Sequence, residues 1–211
     1  MPTGKGIRLE FSDERPDVTA LADINDALSS IGSRMWPLDL QQAPADIQKL
    51  LLQPTLTTAE AARVNAHFLL PRERLLEVIG RAGRIPHVAG GGTLTTVVST
   101  HGYSYPQLYV VRENDDDYSR FDRFHVNVAD DGTAVDEVLQ LLSGGGIVIL
   151  QRVRNERVLS LHLDSPGWLV TYNGGNPHIG SLSQAEPGTK VIVQIIGPPL
   201  WKMRYEGDAD F

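Results

Sequence analysis

The sequence predicts a mainly β fold, a sandwich or closed barrel of short strands preceded by an α-helical N-terminal extension. Hydrophobic spacing changes from helical steps of three and four to strand-like alternation near residue 86. Beyond that point roughly eight short runs rich in β-branched and aromatic residues are separated by Gly, Asn and Asp turn signals. The chain shows neither an internal repeat nor a low-complexity tract. The predicted organisation is a helical extension over residues 1–85 and a β-barrel domain over residues 86–211.

The helical half is justified first. Leu21, Ile24, Leu28 and Ile31 place an apolar stripe on residues 18–33. Pro44 opens a helix running to Leu52, because a proline in the first turn sacrifices no needed donor. Thr57 and Glu60 have the spacing of a capping box ahead of Ala61, Val64 and Phe68. Pro71 opens a further helix with Leu75, Leu76, Val78 and Ile79 on its buried side, and Gly80 and Gly83 are its stop signals. Such a segment before a small barrel is expected to cover an open sheet edge or to form the contact of a homodimer.

The strand half follows in order. Gly90–Gly92 lead into a run at Thr93–Thr100, followed by Tyr105–Arg112 and Phe121–Ala129, the last ending at the turn Asp130-Asp131-Gly132. Glu137–Leu142 runs to the glycines 144–146. Ile147–Val153 and Val158–Leu163 flank a hairpin connection, and Trp168–Tyr172 and Val191–Ile196 complete the set.

Composition excludes several function classes. The chain has no cysteine, which removes disulfides, thiolate zinc sites and cysteine nucleophiles, so any metal must be held by His, Asp, Glu or Asn. The formal net charge of −7 argues against a nucleic-acid surface. The arginines of residues 57–83 are offset by Glu60, Glu73 and Glu77. No segment has the apolar length of a signal peptide or a membrane span, and a cytoplasmic location is expected. A G-x-S-x-G elbow, a phosphate-binding loop and an H-E-x-x-H helix are all missing from the sequence.

Three places carry chemistry. On the run ending at Ala129, Arg123, His125 and Asn127 share one face and Phe124, Val126 and Val128 the other. Either the valines face the core and the polar row faces water, or the polar row lines an internal cavity; alternation alone does not choose. Glu137 shares a face with Leu139 and Leu141, so it either sits at a solvated strand start or is buried against a partner or a cation. His178 closes the run Asn173-Gly174-Gly175-Asn176-Pro177-His178, whose glycines permit a tight turn that aims the next side chain inward. The alternative is a surface hairpin.

Taken together, Glu137-x6-Gly144 with His125 and Asn127 before it, and Gly167-x5-Asn173-x-Gly175-x2-His178, resemble the two motif regions of the cupin superfamily. The resemblance covers about residues 90–206 and implies a jelly-roll β-barrel that holds one metal ion. It places His125 at the first histidine of the family's first motif, Asn127 where a second histidine is usual, Glu137 at its carboxylate and His178 at the histidine of the second motif. Nine residues separate Asn127 from Glu137, more than in the family pattern, and the Asp-Asp-Gly turn lies among them. Two imidazoles and one carboxylate form the facial triad of non-haem Fe(II) oxygen chemistry, with Mn, Ni or Zn suited to the same donors. Asp136 is a fallback ligand and His101 a substitute for Asn127. Arg123 and Tyr103 are expected to orient the substrate. The function expected is thus a metal-dependent cupin enzyme acting on a small organic molecule, with dioxygenase-like chemistry. The alternatives are a metal-free small-ligand binding or sensory module and a sugar isomerase or epimerase using a histidine base.

Overall fold

The structure is a computed structural model and describes residues 6–85, 106–110, 124–129, 131–153, 157–181, 184, 190–197 and 202–207. The expected strand at Thr93–Thr100, and Arg123, Tyr103 and His101, lie outside the described residues.

The helical expectations hold closely. Helix α1 spans Leu21–Ser29 and buries Ile24 and Leu28. Helix α2 spans Ala45–Leu52 behind Pro44. Helix α3 spans Thr58–Phe68 and begins with the capping box: Thr57 Oγ1 accepts from the Glu60 N–H at 3.3 Å, and Glu60 Oε2 accepts from the Thr57 N–H at 2.8 Å. Helix α4 spans Arg72–Arg81; it runs through Gly80, one of the two expected stops, and ends before the other, Gly83, which adopts φ +79°.

The same N-terminal segment also supplies two strands that were not expected. Strand β1 (Ile7–Phe11) and strand β2 (Arg34–Pro37) lie at the edges of two different sheets. Nine more strands follow among the described residues: β3 (Pro106–Val110), β4 (His125–Val128), β5 (Glu137–Ser143), β6 (Ile147–Arg152), β7 (Val158–Leu163), β8 (Trp168–Tyr172), β9 (His178–Ser181), β10 (Ile192–Ile196) and β11 (Lys202–Tyr205). The six-stranded sheet has the order β1-β7-β6-β9-β4-β11 and the five-stranded sheet β2-β8-β5-β10-β3. Most consecutive strands fall in opposite sheets, the exceptions being β2 to β3 and the β6–β7 hairpin, so most connections cross the sandwich.

Register sets what faces inward. The β5–β8 pairing puts Glu137 opposite Tyr172, Leu139 opposite Val170 and Leu141 opposite Trp168. These leucines meet Leu159, Leu161 and Leu163 of β7 and Ile147 and Ile149 of β6 in one core between the sheets, to which α1 adds Ile24 and Leu28. Each fully buried leucine contributes roughly 1.5–3 kcal/mol. The outer face of the five-stranded sheet is covered by helices. Val138, Leu169 and Ile196 pack against Leu75, Val78 and Ile79 of α4. Leu142 and Ile192 pack against α2 and α3. The helices therefore blanket a sheet face, and it is strands β1 and β2 that occupy sheet edges.

Polar side chains fasten this helical layer. Lys190 Nζ donates to the Leu50 and Leu51 carbonyls at 2.9 and 2.8 Å, capping α2, and Ser143 Oγ donates to Leu51 O at 2.9 Å. Burial pushes the Lys190 ammonium below its ordinary pKa. Gln140 Nε2 donates to Phe68 O at 2.7 Å, holding the end of α3. Among the described residues no helix is long and apolar enough to cross a membrane.

Candidate functional site

The inward row of the sandwich turns polar at one end. Strand β4 buries His125 and Asn127, at 3% and 0% exposure, while Val126 is only half-buried. The alternation on this strand thus resolves with its polar residues inside. His125 lies directly across from His178 in the β4–β9 pair, and Gln151 of β6 lies across from His178 on its other side. From the facing sheet, Glu137 projects from the start of β5 beside Tyr172 of β8. Glu137 is 2% exposed, so it does not sit at a solvated strand start. Residues far apart in sequence therefore meet in one buried chamber.

The geometry centres on His178. Its Nδ1 lies 2.7 Å from the Asn176 carbonyl oxygen, so that nitrogen carries the proton and donates. Nε2 points the other way, into the cluster. It faces Asn127 Nδ2 at 3.3 Å and Glu137 Oε2 at 3.7 Å. The His178 ring is flanked by His125 at 4.4 Å and Tyr172 at 4.8 Å between centroids, and Tyr205 lies 5.6 Å from His125. Three further buried atoms of this group have no hydrogen-bond partner: Asn127 Oδ1, Glu137 Oε1 and Gln151 Nε2. Gln151 is held by its other amide atom, Oε1, which accepts from Ser33 Oγ at 2.6 Å.

The glycine-rich turn before β9 is built for this role. The Asn127 N–H donates to Gly174 O at 2.7 Å, and the Gly174 N–H donates to Asp136 Oδ1 at 3.1 Å. A Cβ on Gly174 would lie 1.7 Å from the Val135 carbonyl oxygen, so only glycine fits. Asn173 and Asn176 both donate side-chain bonds to Ile31 O, at 3.3 and 2.9 Å, tying the turn to the end of α1.

Asp136, the fallback ligand, is committed elsewhere. It is 3% exposed and forms a two-pronged pair with Arg84 at 3.0 and 3.2 Å. Burial raises its pKa above the ordinary carboxylate value, against the opposing pull of the Arg84 bonds. His162, on β7, is a hydrogen-bonded packing residue, with Nδ1 at 3.0 Å from Gln184 Oε1.

The donor set suits a divalent transition metal. It offers an imidazole Nε2 whose other nitrogen is anchored to a carbonyl, a buried carboxylate with an orphaned oxygen, and an orphaned amide oxygen. Among the described residues, however, no three His, Asp or Glu side chains are already spaced as a complete metal-holding group. His125 lies beside His178, ring against ring, and His178 Nε2 is within 3.3 Å of Asn127 and 3.7 Å of Glu137. Sequence spacing identified these four residues. Tyr172, Gln151 and Tyr205 were missed, because a tyrosine or glutamine on an alternating strand carries no signal of which way it points.

Comparison with known proteins bears on the fold. No protein-family model and no curated protein sequence matches the chain. Among solved structures, the acireductone dioxygenase from Bacillus anthracis with cadmium ion in its active center is similar over 90% of this chain and 92% of that one. The TM-score is 0.60 at 14% sequence identity. The chain has the cupin fold: mainly β, two antiparallel sheets packed together, with helices from the N-terminal segment.

Proposed function

We propose that the protein is a metal-dependent enzyme acting on a small organic molecule, with dioxygenase-type oxidative chemistry. The observation that carries this reading is the state of His178. Its Nδ1 is engaged by a backbone carbonyl while its Nε2 faces a buried carboxylate and amide. A histidine anchored through Nδ1 to a backbone carbonyl is the arrangement that metal sites use. His178, Glu137 and His125 would hold the ion and Asn127 would complete or tune the set, with Fe(II) the best match and Mn, Ni or Zn acceptable to the same donors. Such a metal, when bound, leaves positions open to substrate and dioxygen and acts as a Lewis acid. The dioxygenase of the same fold, with cadmium in its active center, supports this reading by analogy.

The chain's own residues prepare the chamber. Tyr172 and Tyr205 supply aromatic walls, and the unpartnered Gln151 Nε2 is a donor for a substrate oxygen. The Asn176 carbonyl anchors His178 through Nδ1, so Nε2 points into the cluster. Arg123 and Tyr103 complete the proposal as substrate-orienting groups.

Elemental analysis of protein purified without chelator tests the assignment. About one transition-metal ion per chain is expected, and His178→Ala is expected to lose it while retaining the wild-type circular dichroism spectrum. Full metal occupancy in that variant refutes the ligand set. A metal-free ligand-binding module is the second reading, favoured by the amide at position 127 and by the incomplete ligand group. Metal-free protein after iron supplementation supports that second reading.

A further inference from the structure

A second site lies outside the chamber. A cavity of about 1060 Å³ opens where β1 ends, β7 begins and the β8–β9 turn meets the ends of α1 and α4. Five arginines line it: Arg15, Arg34, Arg81, Arg84 and Arg157. Its described lining contains no aspartate or glutamate. In a chain of net charge −7 this is a marked local reversal of sign. A cleft lined by one sign of charge focuses its field and raises the local concentration of the opposite ion.

Four of these arginines, all but Arg84, are exposed. Arg34 and Arg81 lie against the Trp36 ring at 5.8 and 5.1 Å, and neither forms an ion pair with a described carboxylate. Arg15 stacks on Phe11 at 4.0 Å and shares Asp13 with Arg157, at 2.8 and 3.1 Å. Asp13 and Asp136, the acids that reach these arginines, are not part of the lining. The planar forks of guanidiniums match phosphate and carboxylate bidentately. Between them, Phe11, Ile31, Val153 and Leu159 give an apolar wall for a carbon skeleton.

We propose that this cavity binds a small organic oxyanion, a molecule carrying a phosphate group or more than one carboxylate. It adjoins the buried chamber through Asn176, whose side chain lines the cavity and whose carbonyl holds His178 Nδ1. The proposal does not rest on the metal assignment, since no arginine of the cavity belongs to the metal-ligand set.

Calorimetry on the full-length, chelator-stripped protein tests it, with pyrophosphate and citrate as separate probes at constant ionic strength. Saturable one-to-one binding of at least one probe is expected, and the preferred probe separates phosphate from polycarboxylate recognition. Arg34→Gln combined with Arg81→Gln is expected to weaken that binding roughly tenfold or more. Arg157→Gln provides an independent loss from the opposite wall. Arg63→Gln, at an exposed pair with Asp46 on α3, is the control and is expected to change nothing. The proposal is overturned by absence of saturation in the millimolar range, by equal binding in the double variant, or by an equal loss in the Arg63 control.

Discussion

The Arg84–Asp136 pair makes unequal predictions for its two partners. Asp136 is 3% exposed at its side chain and Arg84 is 29% exposed, so removing either leaves a different problem behind. Arg84→Met strands a buried carboxylate with one remaining bond, from the Gly174 N–H. Breaking a buried pair costs about 3–5 kcal/mol, and the partial exposure of Arg84 moves this one to the low end, about 3 kcal/mol at pH 7. The loss is capped near 4 kcal/mol, because the carboxylate escapes by taking a proton at 1.36 kcal/mol per pH unit above about 3.9. Asp136→Asn is milder. Desolvation already pushes the folded-state pKa of Asp136 up, so the fold disfavours the charge, and a neutral isostere is expected to cost only about 1 kcal/mol. The raised pKa also fixes the pH dependence. A raised carboxyl contributes stability that is complete below the unfolded-chain pKa and is lost as pH rises through the folded-state value. The Arg84→Met deficit is therefore expected to shrink on acidification from about pH 7 to about pH 4.5. Urea unfolding of the two single variants and the double variant across that range reads all of this, and the double variant should be more stable than Arg84→Met alone. A deficit independent of pH, or an Asp136→Asn variant less stable than Arg84→Met, would refute the reasoning.

Three further outcomes are expected. Asn127→Asp adds an anionic donor to the proposed ligand set. It should raise metal retention against a chelator by roughly tenfold while lowering the Tm of the metal-free protein, because a second carboxylate then faces Glu137; unchanged metal retention counts against Asn127 as a ligand. Gly174→Ala places a methyl group 1.7 Å from Val135 O, so a loss of about 3 kcal/mol or more is expected in denaturant unfolding, and a near-neutral result contradicts the close packing of this turn. Lys190→Met removes the cap on α2 and should cost about 1–2 kcal/mol at pH 7. Because burial lowers the folded-state pKa of Lys190, wild-type stability rises relative to the variant as pH climbs from that value towards about 10.4, and a flat difference argues that the ammonium is not buried.

Much of this was legible from residue order. The helices announced themselves through long apolar stripes and a capping box, signals contained within one element. Position 137 could be singled out because a carboxylate on the face of Leu139 and Leu141 has few inexpensive places to go. What escaped notice is non-local or short. Strand β1 alternates Ile7 and Leu9 with charged neighbours over too few residues to separate it from a polar tail, and its place is set by β7. Strand β9, with glycine at its third position, looks like the continuation of a turn until β4 and β6 pair with it on either side. The arginine cavity draws on segments from residue 11 to residue 176, and the Arg84–Asp136 pair joins a helix end to a strand start. No local period encodes meetings of that kind.

The placement of β1 and β2 has a consequence for biogenesis. During synthesis the first strand emerges long before its hydrogen-bonding neighbour, since Ile7 pairs with Leu163, and Met35 must likewise await Val170. Pairings this distant in sequence make a topology of high contact order and slow closure. Residues 7–11 therefore leave the ribosome with no strand to pair with until residues 159–163 have followed.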